Sequence, residues 1–221
     1  MRGESPGALL VPGSAVIPSE ATVFVVDDDA AVRDSLRWLL ESVGLRVQTY
    51  DSGQSFLAAF DPDQPGCLVL DVRMPGMSGL ELQERLNHLD ATLPVIIITG
   101  HSDVPMAVRA MKAGAFDFIE KPFSDQLLMD QVHGAIEQHV RRRAERSVQA
   151  DLRRRIDTLS PREKTVMEMV VSGMSNKTIA AELGLSQKTV EVHRAHVMAK
   201  IEADSLADLV RYSLTAGVPA H

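Results

Sequence analysis

An α/β domain with a five-stranded, doubly wound parallel sheet, joined by a helical linker to a small all-α domain, is the fold class this sequence predicts. Three observations carry it. Over residues 21–138, five short apolar runs alternate with stretches whose apolar residues recur at three- and four-residue steps. The runs are continuously apolar, the mark of strands covered on both faces and so of a parallel sheet. Over residues 158–221, serine caps open a succession of four short helices with a three-residue turn at the centre.

Taken in order, the chain begins with MRGESPGALLVPGSAVIPSE, where Pro6, Pro12 and Pro18 fall among glycines and serines. Residues 1–20 therefore read as a flexible tail, and Pro12-Gly13 breaks the one apolar stretch, Ala8–Val11, that a secretory signal would need. A cytoplasmic location is the expectation. The strands are Val23-Phe24-Val25-Val26, Val47–Tyr50, Cys67-Leu68-Val69-Leu70, Val95–Thr99 and Phe116–Ile119. Between them, Val32, Leu36, Leu39 and Leu40, and then Leu80, Leu82 and Leu86, mark buried helix faces. Strands alternating with helices over residues 21–138 make a sandwich of normal domain size.

Residues 139–157 are arginine-rich and lack Gly and Pro, so the expectation is a helical linker continuing the last helix of the sheet domain. Val140, Ala144, Val148, Leu152 and Ile156 recur at steps of four, a drifting stripe that a partner helix can use, although a solvated spacer is the plainer reading. The C-terminal domain opens at Ser160-Pro161-Arg162-Glu163: a capping residue, proline at the first helical position, and a glutamate three residues after the cap. Ser175 caps a helix through Leu183, Gly184-Leu185-Ser186 turns the chain, and Ser186 caps a helix to about Ile201. A last helix runs from about Ser205 to Leu214.

A length of 221 residues suits two domains, and 45% apolar with 24% charged residues excludes a chain disordered throughout. No apolar run approaches the ~18 residues of a membrane-spanning helix, so no membrane partner is expected. One cysteine, Cys67, rules out an intramolecular disulfide or a cysteine-rich zinc site. The net charge of −7 is uneven: residues 1–139 hold 9 Lys+Arg against 20 Asp+Glu, and residues 140–221 hold 14 against 10. An acidic half suited to a cation is joined to a basic half suited to DNA.

Polar residues fall where such a sheet binds ligands, at the carboxyl ends of its strands. Asp27-Asp28-Asp29 follows the first strand, Asp71 closes the third, Thr99 closes the fourth, and Lys121-Pro122 follows the fifth. A strand order of 2-1-3-4-5 puts Asp27, Asp28 and Asp71 around one crevice. Carboxylates so crowded repel one another and demand a counter-charge. Mg²⁺, held by one or two carboxylates, water and a phosphate, meets that demand; Lys121 adds positive charge, and the Thr99 hydroxyl suits an oxyanion.

Residues 22–138 resemble a response-regulator receiver domain, and residues 158–214 the LuxR-type helix-turn-helix domain of the FixJ/NarL class, closest to FixJ-like regulators. The likeness is carried by VFVVDDD, LVLDVRMPGMSGLEL, TGHSDVPMAVRAMKAGAFDFIEKPF and SNKTIAAELGLSQKTVEVHRAHVMAKI. It implies a transcriptional regulator of a two-component system, not an enzyme, in which Asp71 takes a phosphoryl group from a sensor histidine kinase. It further implies that Asp28, Asp71 and the carbonyl of Arg73 bind Mg²⁺, with Asp27 helping through water. Lys121 would pair with the phosphoryl oxygens across a cis Lys121–Pro122 bond, while Thr99 and Phe118 switch. The helix from about Pro105 to Ala113 and the fifth strand would form a homodimer face on phosphorylation, and promoter DNA and RNA polymerase are the further partners implied. Val104, Met106, Val108, Ala110 and Met111 are numerous enough to serve both a core and such a face.

In the second helix of the helix-turn-helix, Val190, His193, Val197 and Ile201 share one face and are expected to pack inward. The opposite face offers Gln187, Lys188, Glu191, Arg194 and Ala195. Lys188 and Thr189 suit phosphate or base edges, Arg194 a bidentate guanine contact, and Glu191 a cytosine amine. Lys177 is a phosphate-contact candidate. Leu206, Leu209, Val210 and Leu214 of the last helix serve a dimer seam, the domain core, or both.

Two other readings stand beside this one. A receiver that dimerises without phosphorylation keeps every motif. An aspartate-nucleophile phosphatase would use Asp27 and Asp29, but Ala31 stands where its pattern needs Thr or Val, and it leaves the helix-turn-helix unexplained.

Overall fold

The computed structural model describes residues 20–89, 91–100 and 104–218. The tail expected over residues 1–20 lies outside them except for Glu20. Among the described residues, β1 (Thr22–Val26), α1 (Ala30–Ser42), β2 (Arg46–Tyr50), α2 (Gly53–Ala59), β3 (Gly66–Asp71), α3 (Gly79–His88), β4 (Val95–Thr99), α4 (Val104–Lys112), β5 (Asp117–Glu120) and α5 (Asp125–Asp157) come first. Then follow α6 (Pro161–Val171), α7 (Asn176–Leu183), α8 (Gln187–Ile201) and α9 (Leu206–Ala216). No helix among the described residues is long and apolar enough to cross a membrane. The chain divides after Arg142 into two compact units.

In the first unit the strands are all parallel, in the order β2-β1-β3-β4-β5. Side chains alternate across the sheet and fill two separate cores. Phe24, Val26, Leu68, Leu70 and Ile97 face α2, α3 and α4, where Phe56, Leu82, Leu86 and Ala110 meet them. Val23, Val25, Cys67, Val69, Ile96 and Ile98 face α1 and α5, against Leu36, Leu40, Leu128, Val132 and Ile136. Both faces being covered explains the unbroken apolar runs of β1, β3 and β4; the edge strands β2 and β5 are partly exposed and carry polar residues. Trp38, on the outer side of α1, is 77% exposed.

Two close approaches pin the strand ends. A Cβ on Gly66 would fall 1.9 Å from the Thr22 carbonyl oxygen, and one on Gly79 would fall 2.2 Å from that of Asp71. Gly79 also donates its backbone N–H to the Val72 carbonyl at 2.9 Å, so α3 starts hard against the end of β3. Ser78 and Glu81 close that start with a reciprocal capping box.

The second unit comprises α6 to α9 and the end of α5. Serine caps Ser160, Ser175, Ser186 and Ser205 open its four helices, and Gly184 and Gly217 close α7 and α9 in the left-handed region. The core joins Val166, Met167, Val170, Ile179, Val190, Val197, Ile201 and Leu209.

Residues 139–157 depart from a solvated spacer. His139 is buried in the first unit, where its Nδ1 lies 3.0 Å from the Gly66 N–H, and Leu152 and Ile156 are buried in the second core. Steps of four residues advance a helix by about 40° beyond a full turn, so the stripe winds around α5 and its two ends serve different cores. Of its middle members, Val148 remains 55% exposed.

Candidate functional site

The three aspartates after β1 separate into three jobs. Asp27 is buried, with its Oδ1 accepting from the Asp29 N–H at 2.9 Å. Asp28 is exposed at the rim. Asp29 caps α1 by accepting from the Ala31 N–H at 2.8 Å. Strand pairing of β1 with β3 then brings Asp27 alongside Asp71. Lys121 joins them: its Nζ donates to Asp27 Oδ2 and to Asp71 Oδ1, each at 3.0 Å. The second oxygen of Asp71 accepts from the Arg73 N–H at 2.7 Å. The Lys121–Pro122 bond is cis, and Lys121 is anchored by its own N–H to the Thr99 carbonyl at 2.8 Å.

Burial pushes the Asp71 carboxyl above the usual carboxylate range, more than Lys121 and the Arg73 N–H pull it down. Burial also penalises the Lys121 ammonium, but its hydrogen bonds to Asp27 and Asp71 outweigh that and hold it above its ordinary value. Asp71 is thus a carboxylate in a poorly solvated pocket with one cation at hand, an arrangement that favours a ligand bringing further positive charge. Among the described residues, no three His, Cys, Asp or Glu side chains gather as a metal cage. Two neighbouring carboxylates suit Mg²⁺, which keeps several of its waters, better than an ion held wholly by protein ligands.

Thr99 is buried at the end of β4, one residue past Ile98, which pairs with Asp71. Phe118 is half-buried on β5 against the α2–α4 core. Sequence reasoning missed Arg33, whose Nη1 donates to the Asp27 carbonyl at 2.7 Å and holds the acidic turn from behind. On α4, Ala110 is buried and Met106 packs on the core, leaving Val104 (77% exposed), Val108 and Met111 outside.

In the second unit, Val190, Val197 and Ile201 of α8 are buried as expected, and His193 is half-buried. Gln187, Lys188, Glu191 and Ala195 point outward, as does Lys177 near the start of α7. Thr189 is half-buried, its hydroxyl 2.8 Å from that of Ser186. Arg194 does not share the outward face expected of it. It is half-buried, Nη1 donates to Asn176 Oδ1 at 2.6 Å, and it borders a cleft with Met167, Val170 and Val197. The side chain lies about 40° from Val190 around the helix axis, on the inner side, and is held by a partner on α7 that no local pattern reveals.

Val192 was overlooked. It is 45% exposed between Lys188 and Ala195 on the outer face, and a helical wheel centred on Val190 and Val197 finds it. Leu209 is core, whereas Leu206 and Leu214 remain exposed on α9. Glu163 is also more than a cap: its carboxylate accepts from the Ser160 N–H at 2.8 Å and from Lys200 Nζ at 2.7 Å. The Lys200 hydrogen bond, with the cap, pulls Glu163 down to about 2.

These two arrangements match known families in the same order. The response regulator receiver domain model covers residues 23–133, and the model of the bacterial regulatory proteins of the luxR family covers residues 157–213. Nodulation protein W of Bradyrhizobium diazoefficiens is 50% identical over 209 residues, 95% of this chain and 92% of the relative. The transcriptional regulatory protein FixJ of Rhizobium meliloti is 50% identical over 200 residues, 90% of this chain and 98% of the relative. The solved structure of the response regulator StyR superposes with a TM-score of 0.81 at 47% identity, covering 88% of this chain and 98% of that one. With a receiver and a LuxR-type DNA-binding domain both matched along nearly their whole length, the chain belongs to the FixJ-like response regulators of two-component systems, which control transcription.

Proposed function

We propose that this regulator is switched by transfer of a phosphoryl group from a sensor histidine kinase to Asp71. The observation that carries the reading is Lys121 Nζ at 3.0 Å from both Asp27 and Asp71, a cation already in place in a buried acidic pocket. In the transfer, a carboxylate oxygen of Asp71 bonds to phosphorus as the phosphorus–nitrogen bond of the donor imidazole breaks. The protein's part is positioning and charge neutralisation. Asp28, Asp71 and the Arg73 carbonyl would hold Mg²⁺, with Asp27 assisting through water; when bound, the ion neutralises phosphoryl oxygen charge. Lys121 then has a phosphoryl oxygen to pair with, and Thr99 and Phe118 respond to the new dianion as a two-state element.

The face left outside on α4 by Val104, Val108 and Met111, with β5 beside it, is the homodimer surface of the phosphorylated form. Two reading domains on two half-sites then bind promoter DNA together and activate transcription by RNA polymerase. On α8, Gln187, Lys188, Glu191 and Val192 face the major groove, with Lys177 of α7 on a phosphate. Val192 suits a thymine methyl and Glu191 a cytosine amine. Arg194 serves by tying α8 to α7 through Asn176, with Thr189 at the helix start.

Intact-protein mass spectrometry after incubation with acetyl phosphate tests the switch. One phosphoryl group should add to the wild type, only with Mg²⁺, and none to Asp71→Asn. A normally phosphorylated Asp71→Asn would remove Asp71 as acceptor. A wild type that takes no phosphate yet dimerises on DNA would leave a receiver that works without phosphorylation.

A further inference from the structure

The last turns of α5 pack into the second unit through Leu152 and Ile156, and the arginines interleaved with them reach the ends of two other helices. Arg155 Nη1 donates to the carbonyl of Ile201, the final residue of α8, at 3.2 Å, and meets Glu202 Oε2 at 2.6 Å. Its Nε meets Asp151 Oδ2 at 2.8 Å. Arg153 Nε donates to the carbonyl of Ala216, the final residue of α9, at 3.0 Å. Glu202 closes α8 at φ 59°, the one non-glycine among the described residues with positive φ. Side chains enter that region reluctantly, so a contact from outside that fixes Glu202 has something to hold.

The last carbonyls of a helix lack intrahelical donors and carry the negative end of its dipole. A guanidinium answers both needs, and its planar fork can hold a carbonyl and carboxylates together where an ammonium offers a point charge. Base reading demands tight placement of the reading helix, and the helix at issue here is held at its far end from a neighbouring element.

We propose that Arg155 is a positioning residue for DNA recognition: from the last turn of α5 it fixes the C-terminal end of α8, while Arg153 does the same for α9. The proposal rests on α8 being the helix that reads DNA. Arg155 pairs with Asp151, Glu202 and the Ile201 carbonyl, none of them on the outward face of α8, so its loss leaves Lys177 and Lys188 in place for the phosphates. What it loosens is the register of the base-reading face.

The test uses the full chain with acetyl phosphate and Mg²⁺, a duplex selected by the wild type from a random library, and a scrambled duplex of the same composition. Arg155→Met is expected to lower the preference for the selected duplex about tenfold, the size of one lost base pair, with binding to the scrambled duplex unchanged. Glu202→Gln, which removes only one anion, should shift the preference the same way by about threefold. Arg155→Lys, which keeps a donor and the charge for the carbonyl and the carboxylates but loses the planar fork, should retain part of the preference, an outcome that general loosening of the core would not produce. Wild-type preference in Arg155→Met, together with loss in Val192→Asp, overturns the positioning role alone. Preference retained in Val192→Asp overturns reading by α8 and the proposal with it. A folded Arg155→Lys with no more preference than Arg155→Met also overturns it.

Discussion

Both halves of the chain bury a carboxylate against a lysine, and the outcomes are opposite. Asp71 meets Lys121 at 3.0 Å and Glu163 meets Lys200 at 2.7 Å. Burial prevails at Asp71, which shares its lysine with Asp27, and the carboxyl is raised. Hydrogen bonds prevail at Glu163, which has Lys200 and the Ser160 N–H, and the carboxyl falls to about 2. The first carboxylate is left short of compensation, the condition of a group that gains by acquiring a ligand. The second takes its lysine and a cap N–H on one oxygen and locks the start of α6 to the end of α8. A buried acid–lysine pair is therefore no signature of function until the depth of burial and the lysine's other carboxylate partners are counted.

Lys121→Met gives the largest expected effect. It strands two buried carboxylates, costs the receiver about 3–5 kcal/mol, and lowers its thermal transition; added Mg²⁺ should restore part of the loss. If Mg²⁺ restores nothing, the pocket is not short of positive charge. Leu152→Ala comes next, opening a cavity worth about 2–5 kcal/mol and lowering the transition of the DNA-binding unit only. Val148→Ala, on the exposed part of the same helix, should stay within about 0.5 kcal/mol.

Two neutralising changes sharpen the contrast through their signs. Asp71→Asn relieves repulsion and burial and should stabilise the receiver by about 1 kcal/mol. Glu163→Gln weakens a charge-assisted cap and should destabilise its unit by about 1–2 kcal/mol. Denaturant titration of both variants decides the matter, and shifts of the same sign would dissolve the distinction.

The two carboxylates should also differ in how pH acts on them. Glu163 has its folded value, about 2, below its ordinary 4.5. The folded unit therefore binds fewer protons there, and the stability from Glu163 is complete above its ordinary value and lost as acid approaches pH 2. Asp71, raised in the fold, acts in the reverse sense: its share of receiver stability improves as pH falls through its raised value. Thermal melts from neutral to acid pH that follow each unit's transition should separate the two slopes.

Much of this was legible because it is local. Serine caps Ser160, Ser175, Ser186 and Ser205 act within three residues, and each opens the helix expected. The unbroken strand runs report burial on both faces directly, and strand order then brings Asp27, Asp71 and Lys121 together. What escaped depends on partners far along the chain. Arg194 finds Asn176 eighteen residues away, and Glu163 finds Lys200 thirty-seven away. Leu152 and Ile156, spaced among arginines, read as a spacer because nothing near them shows the core they enter.

Trp38 is the chain's one tryptophan, and it stands 77% exposed on α1, the helix that begins directly after Asp29. The intrinsic emission of this regulator is therefore a single lamp placed in water. It answers to changes around α1, and the DNA-binding unit, whose one Phe, Trp or Tyr is Tyr212, adds no tryptophan of its own. Light from the native chain already resembles that of the unfolded one, so quenching by a solute, rather than a colour shift, is the optical signal in which a partner covering α1 would register.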